Sequence, residues 1–220
     1  KQRLRQRGRH QYQRLETTHE RVVVREGRVK VLGHLHDYLD TGLSLDHRPL
    51  RAWLGREASG GHFLNLFSYP GVATLHAALG GATTSTSVDS SATYLDWFKA
   101  NLALNGLSDR QHRGVRADVR DWLSEETRTY DLIMVDPPSF SNSKGQADFD
   151  VQRDHLSLLQ LAMARRSEGG VLYFSSNHRK FLLDPAVQQT WQVKDVTQGS
   201  IPEDFSRNQR IHTCWRLTHS

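Results

Sequence analysis

The chain has 220 residues, 37% of them hydrophobic, enough for one sizeable core and at most a small appendage. Its apolar runs all fall short of the ~20 residues that cross a bilayer, and its single cysteine, Cys214, excludes an internal disulfide and a cysteine-rich zinc site. The net charge is +5, yet Lys1, Arg3, Arg5, Arg7, Arg9 and Arg14 all precede the first acid, so the remainder of the chain is close to neutral.

The first 19 residues therefore read as a basic arm or linker able to neutralise phosphates, with RNA as the expected contact. The arm opens in the middle of a polar run, which suggests a piece of a longer protein. One cysteine suits a reducing cytoplasm. The 12 histidines have no close metal-ligand spacing, so no metal is expected.

After the arm, "RVVVREGRVKVLGH" (21–34) alternates around Glu26-Gly27 and predicts a β-hairpin appendage spanning 20–36. The chain then turns at Gly42 and enters a helix with Asp46 near its N-cap and Pro49 in its first turn. "HFLNLF" (62–67) reads as a buried strand. In "GVATLHAALGG", Val72, Leu75 and Leu79 share a helical face. "TTSTSVD" (83–89) predicts a weaker, polar strand, and Leu95, Phe98 and Leu102 mark the next helix, closed by Asn105-Gly106. A strand over 112–119, a short helix and the apolar strand "DLIMVD" follow. Leu156, Leu159 and Met163 predict another helix, and "GGVLYFSS" another buried strand. "WQVKDVTQ" and "RIHTCWRLT" predict two last strands.

Strands alternating with helices imply an α/β fold with a mostly parallel sheet, in which ligands bind beyond the carboxyl ends of the strands. The residues just past those ends are Ser68-Tyr69-Pro70-Gly71, Asp89-Ser90, Asp118, Asp136-Pro137-Pro138 and Ser175-Ser176-Asn177. Asp89 follows Gly71 at roughly the spacing (~20 residues) of an acid that takes ribose hydroxyls, although it also stands where a helix N-cap would. The first turn lacks the glycines a pyrophosphate needs, and no phosphate-cradling loop occurs. An adenosine cofactor without phosphate fits better. S-adenosylmethionine is such a cofactor: its ribose suits Asp89 and its adenine amine a carboxylate such as Asp118. Its positive sulfonium suits a site rich in aspartate.

"DYLDTGLSLDHR", "FLNLFSYPGVATLHAALGGA", "VDSSATYLDWFKANLALNG", "VDPPSFSNSK", "FDVQRDH" and "IHTCW", in that order, resemble bacterial 23S rRNA methyltransferases. The likeness is to the guanine-N7 half of the bifunctional large-subunit enzymes and covers about Gln11 to Leu217. It implies a Rossmann-like methyltransferase domain over 37–220, with a seven-stranded, mostly parallel sheet and a last antiparallel strand. It implies that Asp46 and Arg48 help hold S-adenosylmethionine, beside Phe67, Ser68, Tyr69, Gly71, Asp89, Asp118 and Asp136, with Asn65 and Ser90 in the same set. It also implies ribosomal RNA as substrate and a covalently linked N-terminal methyltransferase domain outside this chain.

Three acceptor atoms can be weighed. Carbon 5 of a pyrimidine needs a thiolate nucleophile, but Ser175-Ser176 stand where such enzymes keep a cysteine, and Cys214 reads as a buried strand residue. An exocyclic amine suits an aromatic directly after Asp-Pro-Pro, which here is displaced to Phe140. Nitrogen 7 of guanine loses no proton, so positioning and electrostatics suffice. That choice rests on the resemblance, and a non-catalytic RNA-binding module stays open. Asp136, Pro137, Pro138 and Phe140 are the expected catalytic wall. Asn142, Lys144, Arg179 and Lys180 are the expected RNA contacts, with the loop 139–150 ordering on RNA.

Overall fold

The computed structural model describes residues 21–34, 41–141 and 148–219. The hairpin pairs β1 (Arg21–Glu26) with β2 (Val29–His34). A 3-10 turn at Leu45–His47 leads into α1 (Arg48–Glu57), so Asp46 lies inside that turn and His47, not Asp46, is the N-cap residue. The main body alternates β3 (His62–Leu66), α2 (Val72–Leu79), β4 (Thr84–Asp89), α3 (Ala92–Leu104), β5 (His112–Arg116), α4 (Val119–Glu125) and β6 (Tyr130–Val135). Two short strands, β7 (Phe140–Ser141) and β8 (Phe149–Asp150), pair with each other before α5 (Val151–Met163), so the ends of the expected loop form a small ladder. Then come β9 (Arg166–Ser176), α6 (Pro185–Thr190), β10 (Gln192–Asp195), α7 (Thr197–Ser200) and β11 (Thr213–Thr218).

The seven-stranded sheet has the order β10-β11-β9-β6-β3-β4-β5. Strands β9, β6, β3, β4 and β5 run parallel, while β11 runs antiparallel to both its neighbours. The chain order reverses between β3 and β6, which makes their carboxyl ends the switch point where such sheets bind ligands. Because β11 is reversed, its amino end, with His212 and Thr213, joins the carboxyl ends of β6 and β9.

One face of the sheet packs on α4, α5 and α6 through Ile133, Val135, Leu158, Leu159, Phe174 and Trp215. The other packs on α1 and α2 through Leu50, Leu54, Phe63 and Met134. The Thr/Ser run of β4 is buried but not unpaired. Ser87 bonds Thr74, which also accepts from Asn65 of β3, and Ser85 bonds His112. Side-chain hydroxyls thus find partners across the sheet, the condition under which a buried polar strand is tolerated.

The hairpin is docked on the body. Val29 and Val31 pack with Leu75, Phe98 and Leu102. The outer backbone edge of β2 is satisfied by side chains of α3: Lys30 N–H donates to Asn105 Oδ1, Leu32 N–H to Asn101 Oδ1, and Trp97 Nε1 to the Leu32 carbonyl. At the far end Arg51 of α1 makes a two-pronged bond to Glu26, 2.7 Å on each arm, and donates to the Ser44 carbonyl. Burial alone would raise Glu26, but Arg51 and His76 outweigh it and bring the carboxyl down to about 2.

Asn101 is fully buried and also donates to the Pro70 carbonyl, so one side chain joins hairpin, α3 and the turn after β3. Asn101→Ala strands a part-buried N–H and a buried carbonyl, and urea unfolding is expected to show a loss of about 2–3 kcal/mol. Glu26→Gln leaves Arg51 buried without its counter-charge. Its expected cost at pH 7 is about 3 kcal/mol. In the unsubstituted protein the same contribution is present above pH 4.5 and lost as pH falls toward 2, so the variant should show a shallower acid-unfolding profile.

Candidate active site

The turn after β3 carries unusual backbone. Phe67 and Tyr69 have φ of 57° and 53°, and Gly71 has 76°. Two non-glycine residues in the left-handed region so close together are costly and persist only when their surroundings hold them. Here Ser68 N–H donates to the Val88 carbonyl, and Tyr69 N–H to Asp89 Oδ2 at 2.9 Å. A Cβ on Gly71 would stand 2.0 Å from the Phe98 ring, so glycine is required there on two counts.

Asp89 does not cap α3, since Ser91 does that through its own hydroxyl. Its carboxylate instead spans two backbone donors, Tyr69 N–H on Oδ2 and Ser91 N–H on Oδ1, each at 2.9 Å. Burial raises the carboxyl to about 6, and the Ser91 bond opposes the rise. The folded chain thus favours the protonated form. That stabilisation is present below pH 4 and lost as pH rises through about 6, so an ionised Asp89 at neutral pH costs about 3 kcal/mol.

Asp118 is the N-cap of α4, with Oδ1 accepting from Arg120 N–H and Asp121 N–H. It lies just past β5, beside the end of β4, because Arg116 pairs with Asp89 and Ala117 N–H donates to the Asp89 carbonyl. Ser90 is exposed at the same edge.

Between the ends of β3 and β6 lies a cavity of about 50 Å³, lined among others by Ser44, His47, Arg51, Asn65, Phe67, Ser68, Tyr69 and Asp136. It holds only a few heavy atoms, so a cofactor-sized ligand must extend out of it across the strand ends. Asp136 is half-buried, and no described side chain is hydrogen-bonded to its carboxylate. His47 Nε2 lies 3.9 Å from Oδ1. Pro137 is buried behind it, Pro138 is half-buried, and Phe140 is 52% exposed on β7. Ser139 Oγ ties this segment to Asn177 beyond β9. Arg179 and Lys180 are exposed on the rim past β9. Asn142 and Lys144, like the arm 1–19, lie outside the described residues.

Asp46 and Arg48 do not line the cavity. Arg48 is ion-paired with Asp204. Asp46 accepts from His212 Nδ1 at 2.8 Å and lies 3.5 Å from His47 Nδ1. Burial would raise Asp46, but the His212 bond and the two histidines bring it below the usual carboxylate range. His47 is buried, with Nε2 2.7 Å from Ser175 Oγ, and burial lowers its pKa against the pull of Asp136 and Asp46. Asp46, His47 and His212 are close enough to hold an ion. However, the two rings stack 4.4 Å apart at 11°. Their lone pairs lie in nearly parallel planes and cannot converge on one metal.

His47, Arg51 and Ser44 are therefore site residues that the sequence did not single out. His47 and Ser175 are 128 residues apart, and nothing local marks their meeting. The one available sign was position: His47 stands between Asp46 and Arg48, both expected to be functional.

A profile of S-adenosylmethionine-dependent methyltransferases matches residues 8–206. A protein of Stutzerimonas stutzeri named ribosomal RNA large subunit methyltransferase K/L is 56% identical over 218 residues, covering 99% of this chain and 30% of that protein. A protein of the same name from Desulfotalea psychrophila is 53% identical over 218 residues, with the same coverage. The chain thus spans about a third of the length of these curated relatives. Among solved structures, a protein described as a methyltransferase and complexed with SAH superposes with a TM-score of 0.77 at 27% identity, covering 92% of this chain and 57% of that one. A Thermus thermophilus 16S rRNA N2 G1207 methyltransferase, solved with AdoMet and guanosine, has a TM-score of 0.65 at 20% identity, covering 91% and 50%, and so shares the fold.

Cys214 is fully buried on β11, and burial pushes its thiol far up, with Asp136 and Asp195 adding to the rise. A nucleophilic thiolate is unavailable there. Native protein at pH 8 is expected to resist iodoacetamide, with mass spectrometry showing one alkylated cysteine only after denaturation.

Proposed function

The chain belongs to the S-adenosylmethionine-dependent methyltransferase family, and from that premise we propose that it methylates nitrogen 7 of a guanine in 23S ribosomal RNA. The observation that carries this reading is the Asp136 carboxylate, which accepts no hydrogen bond from a described residue and stands at the mouth of a cavity shared with the Phe67–Tyr69 turn. The ribosomal substrate is supported by the relatives' name and by the six ordered motifs. The same support extends to a covalently linked N-terminal methyltransferase domain as partner.

The residues present fit the cofactor. Asp89 keeps lone pairs free on both oxygens for the ribose hydroxyls. Asp118 Oδ2 accepts no hydrogen bond from a described residue and is the oxygen for the adenine amine. Asp136 receives the ammonium at the methionine end, in the cavity also lined by Asn65 and Ser68. When bound, the cofactor supplies a methyl group on a positively charged sulfur. Asp46 and Arg48 act at one remove: Asp46 holds the stacked His47 and His212, and Arg48 ties the start of α1 to Asp204.

The extruded guanine lies against Pro137 and Pro138, whose rings fix the backbone and remove two donors, leaving carbonyls toward the base. Phe140, exposed on its short strand, closes over it. Nitrogen 7 has an exposed lone pair and loses no proton on methylation, so alignment with the methyl group is the main demand on the site. Arg179 and Lys180 on the rim, with Asn142 and Lys144 in the neighbouring loop, contact phosphate.

Transfer from labelled cofactor to 23S rRNA fragments, followed by nucleoside analysis, is expected to give 7-methylguanosine. Labelled N2-methylguanosine or 5-methylcytidine would overturn the choice of atom. Ribose hydroxyls donate to the ionised form of Asp89, so affinity for the cofactor should fall as pH drops below about 6. Calorimetry at pH 5 should show binding about tenfold weaker than at pH 8. Asp89→Asn should bind weakly at both pH values.

A further inference from the structure

A second groove, of about 1180 Å³, runs along the flank of α1, over the β9-β11-β10 edge of the sheet and under the segment 197–209. Its floor is one cross-strand row: Tyr173 of β9 pairs with Arg216 of β11, which pairs with Lys194 of β10. Lys194 and Arg216 therefore stand directly opposite each other on the same face, an arrangement that is destabilising unless an anion lies over it. Arg56, in the last turn of α1, adds a third cation to the lining.

Two carboxylates, Glu57 and Asp195, share the lining with Arg56, Lys194 and Arg216, which leaves it a net charge of +1. Glu57 accepts from the Tyr173 hydroxyl at 2.7 Å and reaches only Arg216, at 4.0 Å. Asp195 accepts from Thr197 N–H, keeps its charge, and makes no ion pair among the described residues. Arg56 and Lys194 have no ion pair among the described residues, and both are exposed. At the upper end, Ser206 and Gln209 line the groove next to the exposed Arg207 and Arg210, in the segment that leads to His212. α1 connects the two places: it starts beside His47 in the cavity and ends at the groove, roughly 15 Å away along its axis.

We propose that this groove carries the phosphodiester backbone of the RNA flanking the target base, with Arg56, Lys194 and Arg216 as its phosphate contacts. The inference rests on the RNA reading above and extends it to a surface outside the cofactor site. A cationic trough within ~15 Å of the reacting end holds a flanking strand in register while the base is extruded.

The test uses the 220-residue chain and the double variant Arg56→Gln/Lys194→Gln, with cofactor calorimetry, RNA binding over a salt series and methylation kinetics. Removing Lys194 relieves a like-charge pair, so the variant should keep its melting temperature and its cofactor affinity. RNA affinity at 0.1 M salt is expected to fall about tenfold, and the log–log salt slope to become shallower by about 1 to 2. KM for RNA should rise with kcat unchanged. Unchanged RNA affinity and slope would overturn the groove assignment while leaving the proposed function standing. Groove-dependent RNA binding with methyl transfer to another acceptor would uphold the groove and overturn the function. If an acidic peptide protects Lys194 from acylation and an oligoribonucleotide does not, the groove serves a protein partner and the assignment fails.

Discussion

The carboxylate of Asp89 is the constraint on which the site depends. It joins the turn after β3 to the start of α3 by accepting Tyr69 N–H and Ser91 N–H. Without it, a turn containing Phe67 and Tyr69 at positive φ would relax toward ordinary backbone. Burial also favours the neutral form of this clamp. A buried carboxylate that is costly when ionised, with lone pairs left toward the strand ends, is what a ligand bearing hydroxyl donors can relieve. With the proposed ribose contact, stability and binding are coupled at one side chain.

Around that clamp, polar side chains replace backbone as the joining material. Asn101 links β2 to the Pro70 carbonyl, Asn105 takes both backbone groups of Lys30, and Thr74 connects β3 to β4. Each places a polar group in the interior only where it is fully partnered, so these links resist small displacements. The hairpin, α3 and the strained turn are consequently tied to one another through side chains of a single helix. Disturbing the hairpin's anchor at Asn101 is a disturbance of the site.

Charge is divided between two regions. The strand ends carry Asp89, Asp118 and Asp136, suited to a cationic cofactor. The flank of β9, β11 and β10 carries Arg216 and Lys194, with Arg56 facing them, suited to a polyanion. On the proposed reading, the segregation keeps a cationic cofactor and a polyanionic substrate from competing for one site. α1 spans both regions, with His47 at one end and Arg56 at the other.

Much of this was legible in sequence. The apolar periods of α2, α3 and α5 and the unbroken run before Asp136 decide their elements locally, because burial on one face or on two leaves different repeats. The aspartates at the ends of β4 and β6 could be picked out for the same reason, since a strand's end is a local event. What stayed hidden depended on distant partners. Asp46 read as standing near a helix N-cap, which it does, but its carboxylate is taken by His212, 166 residues away. His47 had no local mark, and its place beside Asp136 follows from the docking of α1 against β6 and β9. The Thr/Ser strand read as weak because its partners, Thr74 and His112, come from other elements. The cationic row of Lys194 and Arg216 exists only through the register of antiparallel strands. Sequence by itself determined the elements and the chemistry at their ends, and tertiary structure decided which side chains share a carboxylate, a cavity or a groove.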